Sequence, residues 1–172
     1  MDGQGAIFKG NKVNKISDVM MPGKLVEVGD AVVSTGGCVA NTGLGMKKLG
    51  ADVALMGKVG NDSFGDMICK IVSDSDVDDM MIRTDEESTS YSVVVANPGQ
   101  DRIFLHNPGA NHTFSGKDID ESKLKDAVLF HFGYPPLMKS MYADDGDELV
   151  NIMKKAKANV SWKEKRWICC SI

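Results

Sequence analysis

The stretch from Ser34 to Gly65 constrains the fold of this chain more than any other. Its paired glycines, Gly36-Gly37, predict a tight turn whose backbone N–H groups a ligand can approach without meeting a side chain. A helix over about residues 38–49 follows, and then an apolar strand at Val53–Met56. A helix that begins at such a turn directs its unpaired N–H groups and the positive end of its dipole to the same place. The pattern therefore predicts an α/β fold with a small-molecule site at the turn.

Asn41 lies one turn into the predicted helix, and its amide can both donate and accept hydrogen bonds. This combination suits a polyhydroxylated ligand better than a protein core. A second glycine turn is predicted over residues 57–61, and a helix follows from about Asp62, which Asp62 or Ser63 can cap.

Composition excludes several classes of protein. The chain has 172 residues, 42% of them apolar and 26% charged, as in an ordinary globular domain. Its net charge of −4 argues against nucleic acid as the main partner, and no apolar run approaches the roughly 20 residues of a membrane span. Four cysteines do not form a disulfide framework in a chain of this length, so a reducing cytoplasmic location is predicted. The three histidines lack metal-ligand spacing, so no metal site is predicted.

Two strands are predicted in the middle of the chain, at residues 90–96 and 102–106, joined by a turn at Asn97-Pro98-Gly99. A further strand is predicted at residues 24–33. Polar alternation along these strands favours an antiparallel sheet with one face in water. The sequence alone leaves open whether they form a separate lid or a hairpin within the main domain.

The final third begins with a near-continuous apolar run at Ala127–Phe132, which predicts a strand buried in a parallel sheet. A helix beginning near Asp144 and ending near Asn159 follows. Residues 161–172 show no clean period and place four consecutive charges where another strand would enter the sheet. They are predicted to be an atypical tail outside the core, foreign to the fold and arising from a frameshift or a premature end.

The ordered run of Gly36, Gly37 and Asn41, then Gly50, Gly57, Gly60, Asp62 and Gly65, resembles the first signature of the PfkB, or ribokinase-like, carbohydrate kinases. The resemblance continues through residues 90–111 and 128–157. It implies an incomplete three-layer Rossmann-type core over residues 1–160 with a small antiparallel β lid, the lid strands at about 24–34 and 89–107. It also implies ATP-dependent phosphorylation of a hydroxymethyl group on a sugar or nucleoside, and a homodimer formed through the lid.

The same resemblance implies which residues bind the substrate. Gly36, Gly37 and Asn41 would line the sugar pocket. Asp2 stands where the family has an aspartate that accepts hydrogen bonds from substrate hydroxyls, and can equally be an exposed terminal residue. His106 either faces the substrate or lies on the surface of the sheet.

The motifs that the family uses for phosphoryl transfer do not occur in this sequence. A G-A-G-D motif supplies the family's anion hole and catalytic aspartate, and an N-x-x-E motif helps to organise Mg²⁺; neither is present. The chain thus resembles the substrate-binding half of a kinase, with the elements that hold ATP and Mg²⁺ largely missing and no catalytic residue. The alternative is a non-catalytic truncated fragment, or a sugar-binding or interaction module.

A dinucleotide-binding oxidoreductase is disfavoured because Gly43-x-Gly45 is followed by Gly50 at the wrong spacing for that fingerprint. No phosphate-binding loop of the G-x-x-x-x-G-K-[ST] type is present either.

Overall fold

The computed structural model of the chain describes residues 6–7, 17, 20–96, 101–161 and 166–170. These residues contain seven strands: β1 (Ala6–Ile7), β2 (Asp52–Gly60), β3 (Asp78–Thr84), β4 (Tyr91–Ala96), β5 (Ile103–Asn107), β6 (Ala127–Phe132) and β7 (Arg166–Cys170). The α-helices are α1 (Gly45–Lys48), α2 (Ser63–Ser73), α3 (Glu121–Leu124), α4 (Lys139–Tyr142) and α5 (Asp147–Asn159). The chain divides into two compact units, residues 1–34 with 92–107 and residues 35–91 with 108–172.

The second unit is built on a parallel sheet with the strand order β3-β2-β7-β6. All three strand pairs are parallel, and Met56 of β2 stands opposite Met80 of β3 and Cys170 of β7. A parallel sheet is covered on both faces, and its central strands are apolar throughout. In agreement, β2 is buried from Val53 to Met56. The predicted α/β fold with a parallel sheet is confirmed.

Alternate residues of the central strands pack into two separate hydrophobic cores, because successive side chains of a strand point to opposite faces of the sheet. Ala54, Met56 and Ile168 pack with a cluster that includes Phe114, Leu124 and Ile152. Val53, Leu55 and Cys169 pack with Val39 and Val72 on the other face. The early helices therefore cover one face of the sheet and the later helices cover the other, which gives three layers.

The helix after the glycine turn differs in detail from a regular α-helix. Residues Val39–Leu44 form a π-helical segment that continues into α1. A Cβ on Gly43 would lie 2.1 Å from Leu55 Cδ2 and 3.3 Å from Cys169 Cβ. Glycine at this interior helical position therefore lets the helix lie directly on β2 and β7.

The first unit contains a three-stranded sheet with the order β1-β4-β5. Strands β4 and β5 confirm the two predicted lid strands, and the short connection between them allows only antiparallel pairing. Strand β1 pairs with β4 in parallel, with Ala6 opposite Val95.

The predicted strand at residues 24–33 is wrong. Residues 24–34 form no strand, and Leu25 is 98% exposed while Val32 and Val33 are more than half exposed. In the described sheet the neighbours of β4 are β1 and β5. Alternation of residue types within a segment does not by itself predict a strand, because strand formation also depends on pairing with a partner that the local sequence does not specify.

The prediction that residues 161–172 form a tail outside the core is also wrong. Strand β7 lies at the centre of the sheet, between β2 and β6, and Ile168 and Cys170 are fully buried. The strand begins at Arg166, the last of the four consecutive charged residues 163–166. The Arg166 guanidinium donates to Asp52 at 3.2 Å and to Asp78 at 2.9 Å. Among the described residues, the one charge of this run that enters the sheet is therefore paired, and the desolvation cost behind the prediction does not arise there.

Two smaller corrections concern β2 and β6. The predicted glycine turn at residues 57–61 is mostly strand, because β2 continues to Gly60. Strand β6 occurs at Ala127–Phe132 as predicted, but it lies at the edge of the sheet, and its Leu129 is 37% exposed.

Candidate functional site

The glycine turn lies at the start of the helix that covers β2 and β7. Gly37 has a φ of +71°, a left-handed conformation that favours glycine. A Cβ on Gly36 would meet no described atom within 4 Å, so the described residues leave open space there. The Asn41 side chain is exposed on the following turn, and Gly37 is partly buried. The role of these three residues in binding stays a prediction.

The other two predicted site residues lie elsewhere. His106 belongs to β5 in the first unit, is exposed, and its Nδ1 lies 2.9 Å from Ser92 Oγ. Its place on the sheet surface agrees with the simpler of the two interpretations of the sequence. Asp2 lies outside the described residues, so its role stays a prediction.

Asp62 holds the segment that follows β2. One oxygen accepts a hydrogen bond from the Gly65 N–H at 2.8 Å and the other from the Thr89 N–H at 2.7 Å. This confirms Asp62 as the predicted cap of α2. Partial burial opposes ionisation, but the N–H groups of Thr89 and Gly65 outweigh it and hold the pKa of Asp62 below its usual range. Asp62 is committed to holding the backbone and is a poor candidate for a general base.

The glycines around Asp62 are required by backbone contacts. A Cβ on Gly65 would lie 2.2 Å from the Gly60 carbonyl oxygen, and one on Gly60 would lie 2.5 Å from the Glu87 carbonyl oxygen. The fully buried Thr89 packs at the same place, where its hydroxyl oxygen accepts a hydrogen bond from the Gly60 N–H at 2.9 Å. This half of the glycine signature therefore builds the scaffold, whereas Gly36 has no described atom within 4 Å of the position of a Cβ.

A second group of polar side chains, which the sequence did not predict, lies beneath the glycine turn. A Cβ on Gly133 would lie 2.1 Å from Cys38 Sγ and 3.4 Å from His131 Nε2. His131 stands opposite Cys169 across β6 and β7. Burial raises the pKa of Cys38, and burial together with the neighbouring Cys38 raises the pKa of Cys169 to about 11. The sequence signal was the position of His131 just before the end of β6, where side chains of a parallel sheet reach a ligand edge.

Neither a metal centre nor a membrane span is found in the part of the chain that the structure describes. No three His, Cys, Asp or Glu side chains are grouped there to hold a metal ion. Among these same residues, no helix combines the length and apolar character that crossing a bilayer requires.

The described residues thus combine a three-layer parallel α/β core, a small second sheet and a glycine turn that precedes a helix. The model of the pfkB family of carbohydrate kinases matches residues 9–168. This chain belongs to that family. The match runs into β7, which independently places this strand within the family fold.

Curated relatives are plant fructokinases. The chain is 34% identical over 101 residues to probable fructokinase-6, chloroplastic, from Arabidopsis thaliana, covering 57% of this chain and 26% of that protein. It is 28% identical over 141 residues to fructokinase-1 from Oryza sativa subsp. japonica, covering 80% and 44%. The chain therefore spans less than half the length of these relatives.

Solved structures show the same fold at low identity. The ribokinase from Giardia lamblia matches with a TM-score of 0.67 and 18% identity, covering 95% of this chain and 46% of that one. The fructokinase with bound ATP from Xylella fastidiosa matches with a TM-score of 0.65 and 21% identity, covering 90% and 45%.

Proposed function

We propose that this chain is the sugar-binding part of a carbohydrate kinase that uses ATP to phosphorylate a hydroxymethyl group. Gly36, Gly37 and Asn41 form the sugar site. The observation that carries the proposal is the open space at Gly36. A side chain at this position would clash with no described atom, so packing within the protein does not explain why the residue is glycine. A ligand that approaches the backbone closely would explain it.

The chemistry of the three residues suits a sugar. The backbone N–H groups at the start of the helix can donate to a hydroxyl oxygen, and the helix dipole favours an electron-rich group at the same place. The Asn41 amide is exposed, and no hydrogen bond to another described residue holds it. It can donate to one hydroxyl and accept from another. The fructokinases among the relatives favour a ketohexose as the first sugar to test.

ATP and Mg²⁺ enter the proposal through the family. Phosphoryl transfer needs electrostatic stabilisation of the transferring group and a base for the attacking hydroxyl. The described residues do not fit a Mg²⁺ site, since no three of their metal-binding side chains are grouped. The sequence also lacks the G-A-G-D and N-x-x-E motifs. We therefore propose that this chain alone binds the sugar but does not phosphorylate it.

Two further parts of the proposal concern partners and location. The exposed apolar side chains of the lid strands, Val93, Phe104 and Leu105, support the lid as a homodimer contact. No disulfide joins the four cysteines, which supports a reducing cytoplasmic location.

The competing function is a non-catalytic fragment or interaction module that binds no sugar. The discriminating observation is saturable binding of a sugar by the chain itself.

Replacement of Asn41 with Ala tests the site. Calorimetric titration of the chain with D-fructose and D-ribose should show weaker binding of the preferred sugar by about 1–3 kcal/mol, because a buried hydroxyl loses its partner. Asn151→Ala, at an exposed position on α5, is the matched control and should bind as the unaltered chain does. Equal affinity of the Asn41 variant and the unaltered chain would remove Asn41 from the site. Absence of binding by all three proteins would favour the competing function.

A further inference from the structure

The Cys38 thiol and the His131 imidazole share one small space beneath the glycine turn. Cys38 Sγ and His131 Nε2 lie 2.1 Å and 3.4 Å from the same point, the position that a Cβ on Gly133 would occupy. Gly133 is held there by its N–H, which donates to the Cys170 carbonyl oxygen at 3.3 Å. The absent side chain at residue 133 therefore leaves a small space that both the thiol and the imidazole border.

The imidazole nitrogen that borders this space lacks a hydrogen-bond partner among the described residues. Nε2 of His131 is fully buried and has no hydrogen-bond partner within the described part of the chain. A buried polar atom without a partner is uncommon in a folded protein and calls for an explanation. The groups around it are the Cys38 thiol, the Cys169 side chain opposite His131 in the sheet, and Thr42, which hydrogen-bonds with the Cys38 side chain.

We propose that Cys38 and His131 form a thiol–imidazole pair that makes Cys38 a modification site for soft electrophiles. Cys38 precedes the π-helical segment and is only partly buried, whereas Cys169 and Cys170 are buried. A small rotation of the Cys38 side chain lets its S–H donate to Nε2. A helix N-terminus and an adjacent imidazole are two features that activate a cysteine.

The base is needed because burial keeps this thiol protonated. In the reaction with an alkyl halide, the sulfur electron pair forms the new S–C bond while the halide leaves. The thiol proton passes to His131 Nε2, which becomes an imidazolium cation while the halide leaves as the anion, so charge and atoms balance. Cys69 is also partly buried, and burial raises its pKa although the neighbouring Arg83 opposes the rise, so this thiol, which has a cation rather than an imidazole as its described neighbour, provides the comparison within the same molecule.

The test is brief alkylation of the folded chain with iodoacetamide, followed by peptide mass spectrometry. Cys38 should be alkylated several-fold faster than Cys69, with Cys169 and Cys170 protected by burial. His131→Phe should slow the alkylation of Cys38 by about tenfold or more, because the proton acceptor is lost. His112→Phe, at another half-buried histidine, is the matched control and should leave the rate unchanged.

The rate at Cys69 also reports on folding, since an unfolded variant would expose all four cysteines equally. If His131→Phe unfolds the chain, His131→Gln provides the second variant and should show the same slow alkylation. Alkylation of Cys38 no faster than Cys69, or a rate that a folded His131 variant leaves unchanged, would overturn the proposal. None of these measurements depends on sugar binding.

Discussion

Ile168→Ala should destabilise the chain by about 2–5 kcal/mol, because a large buried side chain is lost from the centre of the sheet. Ile168 is fully buried in β7 and packs in the cluster that contains Phe114 and Ile152. Strand β7 is hydrogen-bonded on both sides, so the cavity cannot close without moving β2 or β6. Denaturant unfolding followed by circular dichroism measures the change.

Leu129→Ala is the matched control for this prediction. Leu129 lies on the neighbouring strand β6 and is 37% exposed, so its loss should cost no more than about 1 kcal/mol. A small effect at Ile168, equal to that at Leu129, would mean that β7 is not a central strand.

Gly65→Ala should cost about 1–3 kcal/mol or more, because the added methyl group has no space. Its Cβ would lie 2.2 Å from the Gly60 carbonyl oxygen, and this neighbour is backbone that cannot rotate away. Relieving the contact would separate α2 from the end of β2 and disturb the hydrogen bond from the Gly65 N–H to Asp62. The change can be measured by thermal and denaturant unfolding.

Gly45→Ala gives the opposite expectation with the same chemical change. Gly45 lies in a helix, and a Cβ there would meet no described atom within 4 Å. Alanine should therefore stabilise the helix by about 0.5–1 kcal/mol. Destabilisation by Gly45→Ala, or tolerance of Gly65→Ala, would contradict the distinction between open and packed glycines.

Local patterns predicted the parts of the fold that depend on neighbouring residues. The apolar run in β2 and the cap at Asp62 are determined within a few positions, and both occur where the sequence places them. The position of β7 could not be predicted in this way. It depends on pairing with β2, more than a hundred residues earlier, and on Asp52 and Asp78, which neutralise Arg166. The one charge of that run that the structure describes is thus paired by residues far away in the sequence.

The candidate site also contains residues that are close in the sequence and residues that only the fold brings together. Gly36, Gly37 and Asn41 lie within six positions of each other, so their proximity follows from one turn and one helix. The Cys38–His131 pair joins two elements that only the sheet brings together, and no spacing in the sequence indicates it. His106 lies in the other unit. The alternation of polar and apolar residues along its strand could not show which face of the sheet is turned toward a ligand.

The central claim is that this chain recognises a sugar but does not phosphorylate it. The most direct test is ¹³C NMR of labelled D-fructose with the chain, ATP and Mg²⁺ in one sample, with the Asn41→Ala chain in a parallel sample. The account predicts saturable broadening or shifts of the sugar signals, reduced by Asn41→Ala, and no phosphate ester after prolonged incubation. Signals of a fructose phosphate, or sugar signals that the chain leaves unchanged at every concentration, would contradict it.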